Sequence, residues 1–436
     1  MIRMMQRLAV AAALLGSVGL GCAGLAHAAP FDVEHATQAY LNTLQGAARA
    51  RSDAYFDGGI WVEYIGGLVT VLACWVMVRL RLLAGLRTRM ERSGWRPWIV
   101  TLACAALFLL VSSLIMFPWS IWADYVREKN YGLMNQTFGE WLGDQGIALA
   151  LTMVFGSLML LAIMAVIRRA PRRWWLLGTG VVTGAMALML LLFPVFVAPM
   201  FNTYRELPAG PVRDRIVAMA QARGVPSAHI YLVDASRQSD RISANVSGIG
   251  PTVRISLNDN LLKRGTVPQV AAVMGHEMGH YVLRHLWWTL GALALLTAVM
   301  LWMASRVMPA LVVWGGRRWA LRDIADPAAI PVLIGVYAAL SLLASPLTNA
   351  IVRIQESEAD VFGLDVAREP DGFASIAMEL SQYRKIDPPA WEEALFYDHP
   401  SGATRVRMAM QWKKDHVANA VEVVPPPMAA KGPGKD

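Results

Sequence analysis

The chain has 436 residues, of which 56% are hydrophobic and only 17% charged, with a formal net charge of +8. Soluble domains average roughly 45–50% apolar and about 25% charged residues, so a single large soluble core is excluded and the long apolar runs point to a polytopic membrane protein. The positive charge sits in short Arg-rich loops between those runs, a topology signal rather than a nucleic-acid surface.

In chain order, residues 1–28 read as a signal peptide or an N-terminal membrane anchor. They have a basic start (Arg3, Arg7), an apolar stretch from Leu8 to Ala26, and Ala26-His27-Ala28 in the style of a cleavage site. The basic start stays inside and directs the next segment of chain outward. Residues 29–201 form a membrane domain: after a polar segment (30–58), apolar runs near 60–80, 97–119, 146–167 and 174–200 predict four transmembrane helices. Residues 202–284 are mostly polar. The spacing of Val212, Ile216 and Met219 predicts a helix ending at Gly224, and "HIYLVD", "SANVSG" and "TVRISLND" predict short strands. Thr266 and Gln269 form a capping-box pattern opening the next helix. Two more membrane runs, near 286–308 and 329–350, fill 285–350; residues 351–422 are polar, and 423–436 form a Pro-rich tail that reads as disordered.

The loops sort by charge. "VRLRLLAGLRTRMERSGWR" holds six Arg against one Glu, "RRAPRR" holds four Arg, and Arg317, Arg318 and Arg322 mark a third basic loop, whereas the loop between the second and third runs is slightly acidic. Counting crossings puts the basic loops on one side and both polar regions on the other. The positive-inside rule then predicts an integral membrane protein with its polar domain outside the cytoplasm.

Cys22, Cys74 and Cys104 all lie in apolar segments and offer neither a disulfide framework nor a Cys-ligated metal site, so any metal is held by His and carboxylates. "GHEMGH" supplies the pattern. His276 and His280 lie four apart on one helical face and both reach one ion, while Glu277 is placed to act as a general base on water. A catalytic zinc takes a third protein ligand and keeps one position open. The best candidate is in "ESEAD": Glu356 binds the ion, and Asp360, four residues on, accepts a hydrogen bond from the second nitrogen of a ligand His. Glu358 falls on another face and reads as solvated. His285, five residues past His280, points elsewhere on the helix and reads as an interfacial residue.

With these pieces in hand, the sequence resembles the type I CAAX prenyl proteases, membrane-embedded zinc endopeptidases, and their bacterial relatives, over roughly residues 52–415. The resemblance is carried by "DAYFDGG", "APMFNTYRELPAG", "IYLVDASRQS", "SANVSGIGPTVRISLNDNLL", "VAAVMGHEMGHYVLRH", "ESEADVFG" and "DHPSGATRVRMA". It implies a mainly α, polytopic helical membrane protein with a small α+β thermolysin-like zinc metallopeptidase domain. His276, His280 and Glu356 would bind one Zn2+ per chain, with Glu277 as base and Asp360 behind a ligand. His399 and Arg405 would lie near the substrate and the developing oxyanion. An extended peptide would add as a strand at Ser243, Ala244 and Asn245, where Ser243 stands in place of the family's usual Asn and the usual neighbouring aromatics are missing. The expected activity is hydrolysis of membrane-associated or exported polypeptides, with a protein or peptide substrate and the lipid bilayer as partners and no nucleic acid. Its rivals are processing of prenylated C-terminal peptides and a non-catalytic scaffold with structural zinc.

Overall fold

The computed structural model describes residues 31–248 and 252–426. The signal-peptide or anchor segment, Cys22 and residues 427–436 of the expected tail lie outside the described residues.

A short helix, α1 (Val33–Leu41), opens the described chain, capped by Asp32 accepting from the Glu34 and His35 amides. Next come α2 (Gly46–Arg79), α3 (Leu82–Arg92), α4 (Pro97–Asn130), α5 (Phe138–Arg169) and α6 (Trp174–Met200). After these come the small sheet and its helices: β1 (Tyr204–Glu206), α7 (Pro211–Ala222), β2 (Ile230–Val233), β3 (Ala244–Ser247), β4 (Arg254–Asn258), α8 (Asp259–Arg264) and α9 (Val267–Val282). The chain ends with α10 (His285–Trp319), α11 (Ile330–Ala367), α12 (Pro370–Leu380), α13 (Ala390–Phe396) and α14 (Gly402–His416). The polar segment 30–58 is largely helical: α2 begins well before its apolar run because Ser52 and Tyr55 find partners there in Ser381, Arg384 and Glu128.

Six of these helices, α2, α4, α5, α6, α10 and α11, are long and apolar enough to cross a membrane. Helices satisfy their own backbone groups, which is what a hydrocarbon solvent demands. Their outer faces are bare apolar side chains, with Leu343 and Val313 80% exposed and Trp288 and Trp314 71% exposed. Trp288 and Trp314 sit near opposite ends of α10, about 39 Å apart along its axis. That separation matches two aromatic belts on a bilayer ~40–45 Å thick with its headgroups.

All three Arg-rich loops meet at one end of this bundle. Arg81 Nε donates to the Arg318 carbonyl at 3.0 Å, Arg322 pairs with Glu91, and buried Arg87 pairs with buried Asp326. Ile167 and Trp174 pack in the same cluster as Leu83 and Trp319. At the other end the 131–137 loop joins the polar domain, where the Asn135 amide donates to the Gln238 carbonyl at 3.0 Å and Arg241 meets Glu128 at 2.6 Å.

The polar domain is one unit built from both polar stretches. Its core mixes Tyr40, Ile216, Ile255, Leu257 and Met274 with Phe373, Val406 and Met410. The four strands run in the order β1-β2-β4-β3. β2 is parallel to β4, while β1 and β3 are antiparallel to their neighbours. The three strands expected from sequence are present. β1 was not expected, since its three residues carry no apolar alternation, and it exists through pairing with β2. β3 is an edge strand with one side open.

Candidate metal centre

Helix α9 starts where Thr266 and Gln269 exchange capping contacts: the Gln269 side-chain oxygen accepts from the Thr266 amide at 2.8 Å, with Pro268 in the first turn. One face, Ala271, Ala272, Met274 and Met278, enters the core. The adjoining face lies on α11 with almost no spacer. A Cβ added at Gly275 would meet the Gly363 carbonyl oxygen at 2.9 Å, and one at Gly363 would meet the His276 amide nitrogen at 2.7 Å. Glycine at these two positions is what allows the helices to approach closely enough for His276, His280 and Glu356 to converge.

They do converge. His276 Nε2 lies 3.1 Å from Glu356 Oε2 and 3.1 Å from His280 Nε2, and His280 Nε2 lies 3.4 Å from Glu356 Oε1. Ligands held about 2.0–2.1 Å from a tetrahedral ion stand roughly 3.3 Å apart, so these spacings fit a small cation. The donor set agrees. Glu356 Oε2 is buried and makes no hydrogen bond among the described residues, and the two imidazole Nε2 atoms face each other at 3.1 Å. Both remaining ring nitrogens are engaged elsewhere, which aims each Nε2 inward. His276 Nδ1 is 2.7 Å from Oδ1 of Asp360, which is fully buried.

Asp360 is held in turn by Arg405, whose Nε and Nη2 donate to its two oxygens at 2.9 and 2.6 Å. Arg405 is also buried, its guanidinium 5.1 Å from the Phe373 ring centre. The resemblance put Arg405 near an oxyanion. In this structure its hydrogen bonds go to Asp360, so it acts on the site through that carboxylate. Burial would discharge His276, but Asp360 and Glu356 outweigh it and push the imidazole up to about 10. Burial likewise pushes the Glu277 carboxyl above its usual range, against the pull of the two imidazoles. A raised carboxylate pKa suits a base that takes and returns a proton near neutrality. His399 stands beside the cluster, Nε2 3.3 Å from Glu356 Oε2 and Nδ1 2.8 Å from Asp398.

His285 departs from its sequence reading. The chain does not continue α9 through it: Arg284 adopts a left-handed backbone (φ 59°), α10 starts at His285, and the imidazole turns back, buried, with Nδ1 2.9 Å from His280 Nδ1. Its Nε2 is 3.2 Å from Glu358. A helix carried straight on would have placed it about 140° around the axis from His280.

β3 packs against α9 and leaves its outer side open. Ser243 and Asn245 are exposed and Ala244 is half-buried. Because the Asn258 amide donates to the Ser243 carbonyl at 3.0 Å, the alternation of an antiparallel ladder turns the backbone groups of Ala244 and Val246 towards the open edge.

Two family models match this chain. Residues 206–413 match peptidase family M48, and residues 37–203 match the CAAX prenyl protease N-terminal region described as five membrane helices. The chain is an M48-family membrane metalloprotease. The metalloprotease is 26% identical over 314 residues to the uncharacterized metalloprotease YhfN of Bacillus subtilis, covering 72% of this chain and 74% of that one. It is 23% identical over 371 residues to a CAAX prenyl protease 1 homolog of Oryza sativa, covering 83% and 86%. The crystal structure of S. mikatae Ste24p has the same fold, with a TM-score of 0.66 at 20% identity over 77% of this chain and 82% of that one.

Proposed function

We propose that the metalloprotease is a zinc endopeptidase of the His-Glu-x-x-His type. His276, His280 and Glu356 hold one zinc ion per chain, and Glu277 is the general base. The observation that carries this is the convergence of His276 Nε2, His280 Nε2 and the Glu356 carboxylate, 3.1–3.4 Å apart, with Glu356 Oε2 buried and making no hydrogen bond among the described residues. A bound zinc supplies Lewis-acid chemistry, polarising the scissile carbonyl and acidifying water. Glu277 takes the proton from the attacking water and returns it to the leaving amine. Asp360, fixed by Arg405, keeps the His276 ring turned so that Nε2 faces the ion. His399, beside Glu356 at the mouth of the site, faces the substrate. The substrate lies extended along β3, using the backbone groups of Ala244 and Val246, with Ser243 and Asn245 as side-chain contacts.

The Arg-rich loops at the far end of the bundle support a periplasmic zinc domain in a bacterial inner membrane, and hence substrates that are membrane-associated or exported. The name of the rice relative favours a second reading, processing of prenylated C-terminal peptides; that reading requires the zinc domain to face the cytosol. Comparing new protein N-termini in cells expressing wild type or Glu277→Gln at equal level separates these. Fragments found only with wild type, from exported parents, are expected. Cytosolic prenylated parents would replace the first reading with the second, and no difference would favour a scaffold.

A further inference from the structure

We propose that His285 and Glu358 form a hydrogen-bond relay that fixes the ring orientation and tautomer of His280, so that each ligand histidine has its own anchor. The relay rests on the zinc reading of the site.

The proton positions are set by heavy-atom geometry. For His280 to present a lone pair to a cation through Nε2, its proton must sit on Nδ1 and needs an acceptor. Asp360 plays that part for His276. For His280 the neighbour is His285 Nδ1 at 2.9 Å, with the two rings at 74°. His285 accepts there only if its own proton is on Nε2, and Nε2 is the atom facing Glu358 Oε2 at 3.2 Å. One tautomer of each ring therefore makes both contacts of the relay hydrogen bonds: His280 Nδ1–H to His285 Nδ1, then His285 Nε2–H to the Glu358 carboxylate. The opposite assignment of His280 would aim its Nε2 proton at the facing Nε2 of His276, which must also be free to bind the ion.

The backbone is arranged for this contact. A non-glycine residue with positive φ is uncommon, and Arg284 takes it at the one place where the chain must reverse a side chain's direction between α9 and α10. His285 is 3% exposed at the head of a membrane-spanning helix, where a buried imidazole needs a polar partner on each nitrogen. The relay also assigns the acidic residues of "ESEAD" on α11: Glu356 faces the ion, Asp360 anchors His276, and Glu358 anchors His280 through His285.

The test uses the full chain in detergent micelles, with Zn2+ titrated against a chromogenic chelator and Co2+ as a spectroscopic probe. His285→Leu removes the acceptor and should weaken zinc binding about 10–100-fold, the usual cost of losing a ligand's hydrogen-bond partner, and alter the Co2+ visible spectrum. His285→Asn keeps an oxygen near the Nδ1 position and should recover most of that loss. Glu358→Gln, at an exposed side chain, should weaken binding a few-fold while the metal-free protein unfolds at the wild-type temperature. Binding by His285→Leu within twofold of wild type would overturn the relay. So would a His285→Asn variant as weak as His285→Leu, because bulk rather than an acceptor would then explain the loss. If His285→Leu unsettles the metal-free protein, Glu358→Gln decides: unchanged affinity overturns the relay. A wild-type protein that binds no zinc refutes the functional reading itself and the relay with it.

Discussion

Replacing Gly363 by alanine sets two effects of opposite sign against each other. By helix propensity alone, a glycine inside α11 exchanged for alanine should stabilise the protein by about 1 kcal/mol. The structure predicts the reverse. The new Cβ would lie 2.7 Å from the His276 amide nitrogen and 3.0 Å from its Cα, well inside the roughly 3.5–4.0 Å at which such contacts become favourable. Both neighbours are backbone, so α9 must shift from α11 by about 0.5–1 Å, and overpacking of this kind costs about 1–3 kcal/mol. The shift also separates His276 and His280 from Glu356, in a site whose bond lengths tolerate about 0.2 Å. Zinc affinity should fall at least tenfold, ~1.4 kcal/mol, and thermal stability should drop. Chelator competition and thermal unfolding with and without zinc read both quantities. Gly143→Ala, at an exposed helical position with nothing within 4 Å of a new Cβ, is the control, with zinc affinity unchanged. A Gly363→Ala protein that binds zinc within twofold of wild type and melts higher would refute the helix-contact account.

Arg405→Gln removes the guanidinium that donates two hydrogen bonds to Asp360 and leaves that buried carboxylate with His276 as its remaining charged partner. A loss of about 3–5 kcal/mol of stability is expected, with Arg405→Lys intermediate, as denaturant unfolding of the metal-free protein would show; a change under 1 kcal/mol would contradict it. His276, raised to about 10 without metal, is protonated at neutral pH and must lose that proton to bind zinc. Zinc binding at pH 7–9 should therefore release a proton and strengthen about tenfold per pH unit; calorimetry in buffers of different ionisation enthalpy checks this, and zero net release would contradict it. Ala244→Pro removes an outward backbone donor at the first residue of β3, where proline is tolerated. KM for an extended peptide should rise about five- to tenfold, the worth of roughly one hydrogen bond, with kcat nearly unchanged; an unaltered KM would argue against strand addition there.

Much of this was legible in the sequence because its signals are local or strongly physical. The six apolar helices long enough to span a membrane are evident from run length and hydropathy, and the gathering of the three basic loops at one end from their Arg placement. The His276–His280 pair is evident from spacing on one helix. Asp360 was legible because it sits one turn from Glu356, although its bond to His276 bridges 84 residues. The rest depended on tertiary contact. His285 was misread because the left-handed turn at Arg284 breaks a helix that periodicity alone continues. Glu358 is exposed, as its helix face predicted, but its contact with His285 could not be read because that turn brings the partner to it. Arg405 lies opposite Asp360 only once α14 packs on the polar core, and β1 has no pattern of its own.

The proposed reaction is hydrolysis of peptide bonds with Glu277 as base at a zinc held by His276, His280 and Glu356. The most direct measurement places purified full-length wild type and Glu277→Gln in nanodiscs and tracks zinc content and cleavage of an unfolded reporter polypeptide together. Close to one zinc per chain is expected in both, with cleavage by wild type and a loss of about 10²–10⁴-fold in the variant. Cleavage by Glu277→Gln at the wild-type rate, or full cleavage by a wild type that holds no zinc, would contradict it.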